Sequence, residues 1–227
     1  MPDPQADLND SALIIVWGRP DSSAVSRVMW TIGELNLPYR RIDWGGAFGG
    51  NDDRAHRARN PAGTIPAVEL PDGRTLWESQ AIVRYLCAVY AKGDMIPWDP
   101  FERAQAEAIM DWGPAFARAV SAVRAAYKNS DATLESCSAA ISLLKPQLGM
   151  LELLLGDKNF LGGQNLGIAD FALGGWLHRL MRCPEELELG ISTNVRSYYG
   201  RLCLRKPFED HILRQVSAGV QRIGGDG

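Results

Sequence analysis

The sequence predicts an α/β domain built on a mixed four-stranded sheet, followed by an all-α helical bundle. Three observations carry that prediction. A short apolar run, a helical period and a second short run follow one another within the first 42 residues, an order that favours a parallel strand pair. Residues 67–70 and 75–77 flank Pro71-Asp72-Gly73-Arg74 and read as a hairpin. From Asp99 onward, apolar residues recur at helical spacing.

Leu13-Ile14-Ile15-Val16-Trp17 is rich in β-branched residues and bounded by Gly18 and Pro20, so it reads as a buried strand. Asp21 or Ser22 can cap the helix that follows, in which Val25, Val28, Met29, Ile32 and Leu35 share one face until Asn36 and Pro38 end it. Tyr39-Arg40-Arg41-Ile42 is the second strand. The glycine-rich, charged segment 43–59 is a loop with a short helix around residues 52–58. Residues 79–90 form a helix with Ile82, Val83, Leu86 and Tyr90 on its apolar side.

The helical pattern breaks at residues 93–98, which divides the chain into a domain over 12–92, a linker over 93–98 and a helical domain over 99–221. Ala108, Ile109, Trp112, Phe116, Val120 and Val123 form the stripe of a long first helix, with a kink expected at Gly113-Pro114. Leu134, Ile141, Leu144, Leu148, Leu151 and Leu155 form a second stripe, read as bundle core. Asp170 falls at the third position of a later helix, where it can bond back to Gly167, and Leu166 can staple against Phe171. Its expected role is structural.

Twenty-four basic and 27 acidic residues give a formal charge of −3, which offers no footprint for a nucleic acid backbone. No apolar run approaching the ~20 residues of a membrane span is evident, and the polar start Met1-Pro2-Asp3-Pro4-Gln5 is unlike a signal peptide. A cytoplasmic protein with no membrane partner is expected. Cys87, Cys137, Cys183 and Cys203 lack a C-x-x-C pair and read as small hydrophobes. His56, His178 and His211 share no metal-ligand spacing, so no metal is expected and they read as surface or satisfied helix residues.

The segment Asn60-Pro61-Ala62-Gly63-Thr64-Ile65-Pro66-Ala67 and the following Leu76-Trp77-Glu78-Ser79-Gln80-Ala81-Ile82 carry the chemistry. Pro66 at a strand's first residue is expected to be cis, at a cost of only about 0.5–1 kcal/mol. Ile65 keeps its N–H and C=O for a ligand. At Glu78-Ser79 a helix begins, and its amides attract a carboxylate while Glu78 can hold an ammonium. An α-amino acid has both groups.

The order N-P-x-G-x-I-P-A, a D-G turn and E-S-x-A-I-x-x-Y-L resembles the N-terminal domain of the soluble glutathione S-transferases. Gly18-Arg19-Pro20-Asp21-Ser22-Ser23-Ala24-Val25 and Gly45-Gly46-Ala47-Phe48-Gly49-Gly50 are similar to one bacterial branch of that family. Phe160-Leu161-Gly162-Gly163, Ile168-Ala169-Asp170-Phe171 and Tyr198-Tyr199-Gly200-Arg201-Leu202 resemble landmarks of its helical domain. The resemblance spans nearly the whole chain after the first eleven residues.

It implies a thioredoxin-like first domain, glutathione as co-substrate and a homodimer with Phe48 as an anchor. By family position Ile65 and Pro66 receive the cysteinyl unit, Glu78 and Ser79 the γ-glutamyl end, Thr64 precedes the backbone clamp, and Asn51 lies near the glycyl carboxylate. Ser22 is the position that donates to the sulfur, although it also has the place of an ordinary N-cap. Arg19, Trp112 and Phe116 would line the second-substrate site for a small, largely apolar electrophile. Ala24 departs from the branch, which has asparagine there, and Gly167 departs from its usual serine or threonine cap. The same scaffold also serves glutathione-dependent disulfide reductases and dehalogenases, or a non-catalytic glutathione or hydrophobic-ligand binder.

Overall fold

A computed structural model of the chain describes residues 13–91, 93, 95–128, 133–214 and 220–221. Residue 12, Lys92 and Asp94 beside the domain limits, the first five residues and the side chain of Leu134 lie outside the described residues. Strand β1 (Ile14–Trp17) pairs parallel with β2 (Tyr39–Ile42) and antiparallel with β3 (Ala67–Glu69), which pairs antiparallel with β4 (Thr75–Trp77). The expected mixed sheet is present. A two-residue β5 (Val220–Gln221) extends it by pairing antiparallel with β2. Two residues carry no readable period, so this addition was invisible in the sequence.

Helix α1 (Ser23–Glu34) follows β1 and buries every residue from Val25 to Ile32, more than the one face its spacing predicted. The cause is packing on two sides, because Trp30 meets Phe171 and Phe208 of the helical domain edge-on, at centroid distances of 4.7 and 4.8 Å. Gly174 permits this approach: a β-carbon there would stand 2.7 Å from the Trp30 ring. A 3-10 turn at Gly46–Phe48 precedes α2 (Arg54–Arg59), whose amides at Ala55 and His56 bond to the Asp53 carboxylate. Helix α3 (Ser79–Tyr90) has the predicted span and buries Ile82, Val83, Leu86 and Cys87.

The helical domain comprises α4 (Pro100–Tyr127), α5 (Leu134–Leu155), α6 (Ile168–Met181), α7 (Thr193–Cys203) and α8 (Lys206–Phe208), the last continuing as a π-helical turn over Glu209–Leu213. Pro114 lies within one continuous α4, with its ring on the solvent side, so its missing amide interrupts the bonding without ending the helix. On α5, Leu144, Leu148, Leu151 and Leu155 are buried core, while Leu143, Met150 and Leu153 are exposed. The stretch Glu135–Leu155, 21 residues, is long and apolar enough to cross a membrane by length and composition, which corrects the expectation that no such run exists. Its apolar residues lie on more than one face, and one of those faces packs in the bundle.

Asp170 is fully buried and receives four bonds: Leu161 N–H at 2.8 Å, Gly162 N–H at 3.1 Å, Gly167 N–H at 2.8 Å and Tyr198 O–H at 2.8 Å. Burial pushes its pKa up, and the four donors act in the opposite sense. One carboxylate thus joins the loop before α6, the start of α6 and α7.

Candidate functional site

At the start of α3, Glu78 has φ 66° and ψ 110°, a conformation that costs a non-glycine residue about 1–3 kcal/mol. Its side chain makes no capping bond and is exposed, so it is not a simple helix cap. Ser79 is buried, and its hydroxyl oxygen accepts from Arg27 Nη1 at 2.9 Å. Arg27 also donates to the carbonyls of Phe171 and Ala172 at 3.2 and 3.0 Å. Desolvation pushes its guanidinium down to about 10, still protonated at neutral pH. A cation therefore stands beside the serine hydroxyl, and Glu78 puts no side-chain cap on the first amides of α3. This arrangement suits a carboxylate.

The Ile65-Pro66 bond is cis, as expected, and leads into β3. The carbonyl of Thr64 accepts from Asn60 Nδ2 at 2.7 Å and lies 3.0 Å from His56 Nε2, while Thr64 Oγ1 accepts from the same Asn60 nitrogen at 3.1 Å. A carbonyl partner assigns the His56 proton to Nε2. His56 is fully buried and is not a surface residue, and its Nδ1 has no partner among the described residues. Gly45, at φ 78°, admits the close approach of two site residues, since a β-carbon there would lie 3.0 Å from both Asn51 Oδ1 and Ile65 Cδ1. Asn51 Oδ1 is buried without a partner among the described residues. The structure thus brings Asn51 and Ile65 together at the Gly45 turn, with Thr64 and Pro66 on either side of Ile65 in the chain.

Ser22 is the N-cap of α1, and its Oγ accepts from Val25 N–H at 3.4 Å. That bond uses an oxygen lone pair and leaves the hydroxyl proton for another acceptor. Arg19 Nε pairs with Asp21 at 2.8 Å, and its guanidinium lies over Gly46, where a β-carbon would be 3.0 Å from Nη1. Arg179 Nη2 donates to the Asp21 carbonyl at 2.7 Å, which ties α6 to the loop carrying Ser22.

Trp112 and Phe116 do not join this constellation. Phe116 is fully buried, so its ring offers no surface to a ligand in this conformation. Trp112 is half-buried, 5.7 Å from Phe116 between ring centroids, and donates Nε1–H to Gln147 Oε1 at 2.9 Å. Both pack with the bundle core.

The sequence reading missed Arg27, Asn60 and His56 as supports of the site. Arg27 had a signal: it is a charge flanked by Val25, Val28 and Met29 on a helix joining two packed layers, and such a residue needs internal acceptors. Asn60 opens the N-P-x-G-x-I-P-A motif, but its bond to Thr64 was not read from it, and His56 had no signal, because both roles depend on where the Thr64 carbonyl turns.

Residues 21–89 match the N-terminal domain of glutathione S-transferase, and residues 114–201 match its C-terminal domain. The chain is 33% identical over 224 residues to glutathione S-transferase GstB of Escherichia coli (strain K12), spanning 90% of this chain and 100% of that protein. It is 29% identical over 192 residues to glutathione transferase GST 23 of Zea mays, spanning 82% of each. Among solved structures, the theta class glutathione S-transferase from Xanthomonas axonopodis pv. citri with glutathione bound superposes with a TM-score of 0.76 at 30% identity, covering 89% of this chain and 98% of that one. Sequence likeness over the full length of a bacterial relative, two matched domains and a shared fold establish that this chain belongs to the glutathione S-transferase family.

Proposed function

We propose that the protein is a cytoplasmic glutathione S-transferase that binds one glutathione per chain, holds its thiol as a thiolate with Ser22 and directs it at a small electrophile. The observation that carries this reading is the Ser22 hydroxyl, which caps α1 with its oxygen and so has its proton left for a further acceptor. A thiol of pKa about 8.5 is a few per cent ionised at neutral pH, and each unit of lowering requires about 1.4 kcal/mol. A hydrogen bond to a charged acceptor contributes about 1.5–3 kcal/mol, enough for one or two units. The thiol proton goes to solvent. The thiolate then forms a carbon–sulfur bond as the leaving group departs with its electron pair.

In this reading the cysteinyl backbone pairs with Ile65 beside Pro66, with Thr64 held behind it. The γ-glutamyl carboxylate meets Ser79, the α3 amides and the charge of Arg27, while Glu78 takes the ammonium and Asn51 the glycyl end. Calorimetry should show one glutathione per chain. Replacing Glu78 and Ser79 together with alanine should weaken binding by about tenfold or more, since two charge-assisted contacts are lost. Absence of binding to the unaltered chain, or undiminished affinity of the double variant, would contradict the assignment. Thioether products separate a transferase from a disulfide reductase or a dehalogenase, which give a mixed disulfide or halide. Ala24, which supplies no polar group beside Ser22, favours as a second reading a chain that binds glutathione with little turnover.

The same reading makes the protein a homodimer. β4 is an edge strand that exposes Trp77, and Phe48, at 56% exposure, is a large apolar side chain in the Gly46–Phe48 turn. Light scattering at micromolar concentration should give twice the 24.9 kDa chain mass, and Phe48→Ala should shift the equilibrium toward monomer. A monomer mass for the unaltered chain would exclude the dimer.

A further inference from the structure

Arg19, Arg124 and Arg182 all lie within electrostatic reach of Arg179, which contacts the loop that carries Ser22. Arg179 on α6 donates to the Asp21 carbonyl, next to Ser22, and its guanidinium also lies over the Trp176 ring at 5.5 Å. Arg19, from the loop before α1, is bound to the Asp21 carboxylate. Arg124 on α4 buries its Nε with no hydrogen-bond partner, and among the described residues neither Arg124 nor Arg182 forms an ion pair. A buried guanidinium nitrogen without an acceptor is costly unless something else completes it.

The electrostatic surroundings agree. Burial is the first cause lowering the Arg179 pKa; Arg124, Arg182 and Arg19 lower it further, and Asp21 alone acts against them. His178 is pushed down to about 4 by burial, then by Arg182, Arg179 and Arg124, so at neutral pH it adds no charge. Three further guanidiniums and one carboxylate therefore act on Arg179. The balance is positive, and it adjoins the serine proposed to hold the thiolate.

We propose that Arg124, Arg179 and Arg182, with Arg19 beside Asp21, form an anion-binding subsite for the second substrate, and that the preferred electrophile bears a carboxylate. The inference rests on the transferase reading and replaces the expectation of a largely apolar electrophile. With a carboxylate-bearing aryl chloride, the glutathione sulfur bonds to the ring carbon and chloride leaves with the carbon–chlorine electron pair. The substrate carboxylate stays unreacted against the arginines, orienting the ring toward Ser22.

A matched pair tests this: 4-chloro-3,5-dinitrobenzoate and its neutral carboxamide, each rate normalised to its uncatalysed reaction with glutathione. The unaltered protein should favour the acid in kcat/KM by about tenfold or more, and added salt should reduce the preference. Arg124→Gln should bring the ratio close to one, Arg182→Gln should lower it in part, and Arg124→Lys should retain much of it. Calorimetric binding of the two glutathione conjugates reads the same subsite without turnover. If neither chloride reacts but the acid conjugate binds about tenfold tighter and loses that advantage in Arg124→Gln, the subsite stands and the transferase reading fails. Equal handling of acid and amide by the unaltered protein overturns the subsite. So does an Arg124→Gln variant that loses affinity for glutathione itself while its acid preference persists.

Discussion

Ser22→Ala is expected to raise the pKa of enzyme-bound glutathione by about one to two units and to lower kcat near neutral pH by about 10- to 100-fold. The direction follows from charge. The Ser22 hydroxyl bonds more strongly to a thiolate than to a thiol, so its loss penalises ionisation, and the thiolate fraction at a fixed pH falls. Glutathione affinity should change far less, because Ile65, Glu78 and Ser79 bind parts of the tripeptide whose charge does not change. Alanine also removes an N-cap worth about 1 kcal/mol, which alone could disturb α1. Ser22→Gly separates the effects: glycine caps within a few tenths of a kcal/mol of serine yet donates nothing to sulfur. Both variants should therefore lose activity alike while differing in stability. Ultraviolet titration of the bound thiol, with kcat and thermal unfolding of each variant, checks this. An unchanged titration in Ser22→Ala would leave Ser22 as a cap and nothing more.

Asp170→Ala is expected to destabilise the protein by about 3–5 kcal/mol, a large part of the ~5–15 kcal/mol that holds a typical domain together. The variant would leave the buried amides of Leu161 and Gly167, the partly buried amide of Gly162 and the buried Tyr198 hydroxyl without their acceptor. Gly162 passes so close to Gly167 that a β-carbon on it would lie 2.7 Å from the Gly167 nitrogen, so the loop has little room to turn those amides elsewhere. Tyr198→Phe removes one donor and leaves the other three satisfied, and should cost about 1 kcal/mol. Urea unfolding of both variants measures the difference. A loss below about 1 kcal/mol for Asp170→Ala would show that water or another group replaces the carboxylate.

The parts of this fold that could be read in the sequence are those whose period or chemistry is local. Ile14–Trp17 is β-branched and bounded by Gly18, α1 begins at a serine cap, and the Ala67–Glu69 and Thr75–Trp77 strands flank a D-G turn. Residue order alone also marked the Ile65-Pro66 and Glu78-Ser79 segments. What could not be read depends on distant partners. Phe116 has the spacing of a ligand wall and of a core stripe alike, and only the packing of α4 in the bundle closes it from solvent. Arg27 reaches Ser79 across 52 residues and Phe171 across 144, which no local pattern encodes. The arginines that act on Arg179 come from α4, the residue after α6 and the loop before α1, and each is an ordinary helix or loop residue until the domains pack.

A crystal structure of the glutathione complex tests the central claim most directly. The glutathione sulfur is expected within about 3.5 Å of Ser22 Oγ, in line for the hydroxyl proton, with the cysteinyl N–H and C=O paired to the Ile65 backbone. A sulfur turned away from Ser22, toward Arg19 or a loop amide, with the hydroxyl bonded only to Val25, would contradict it.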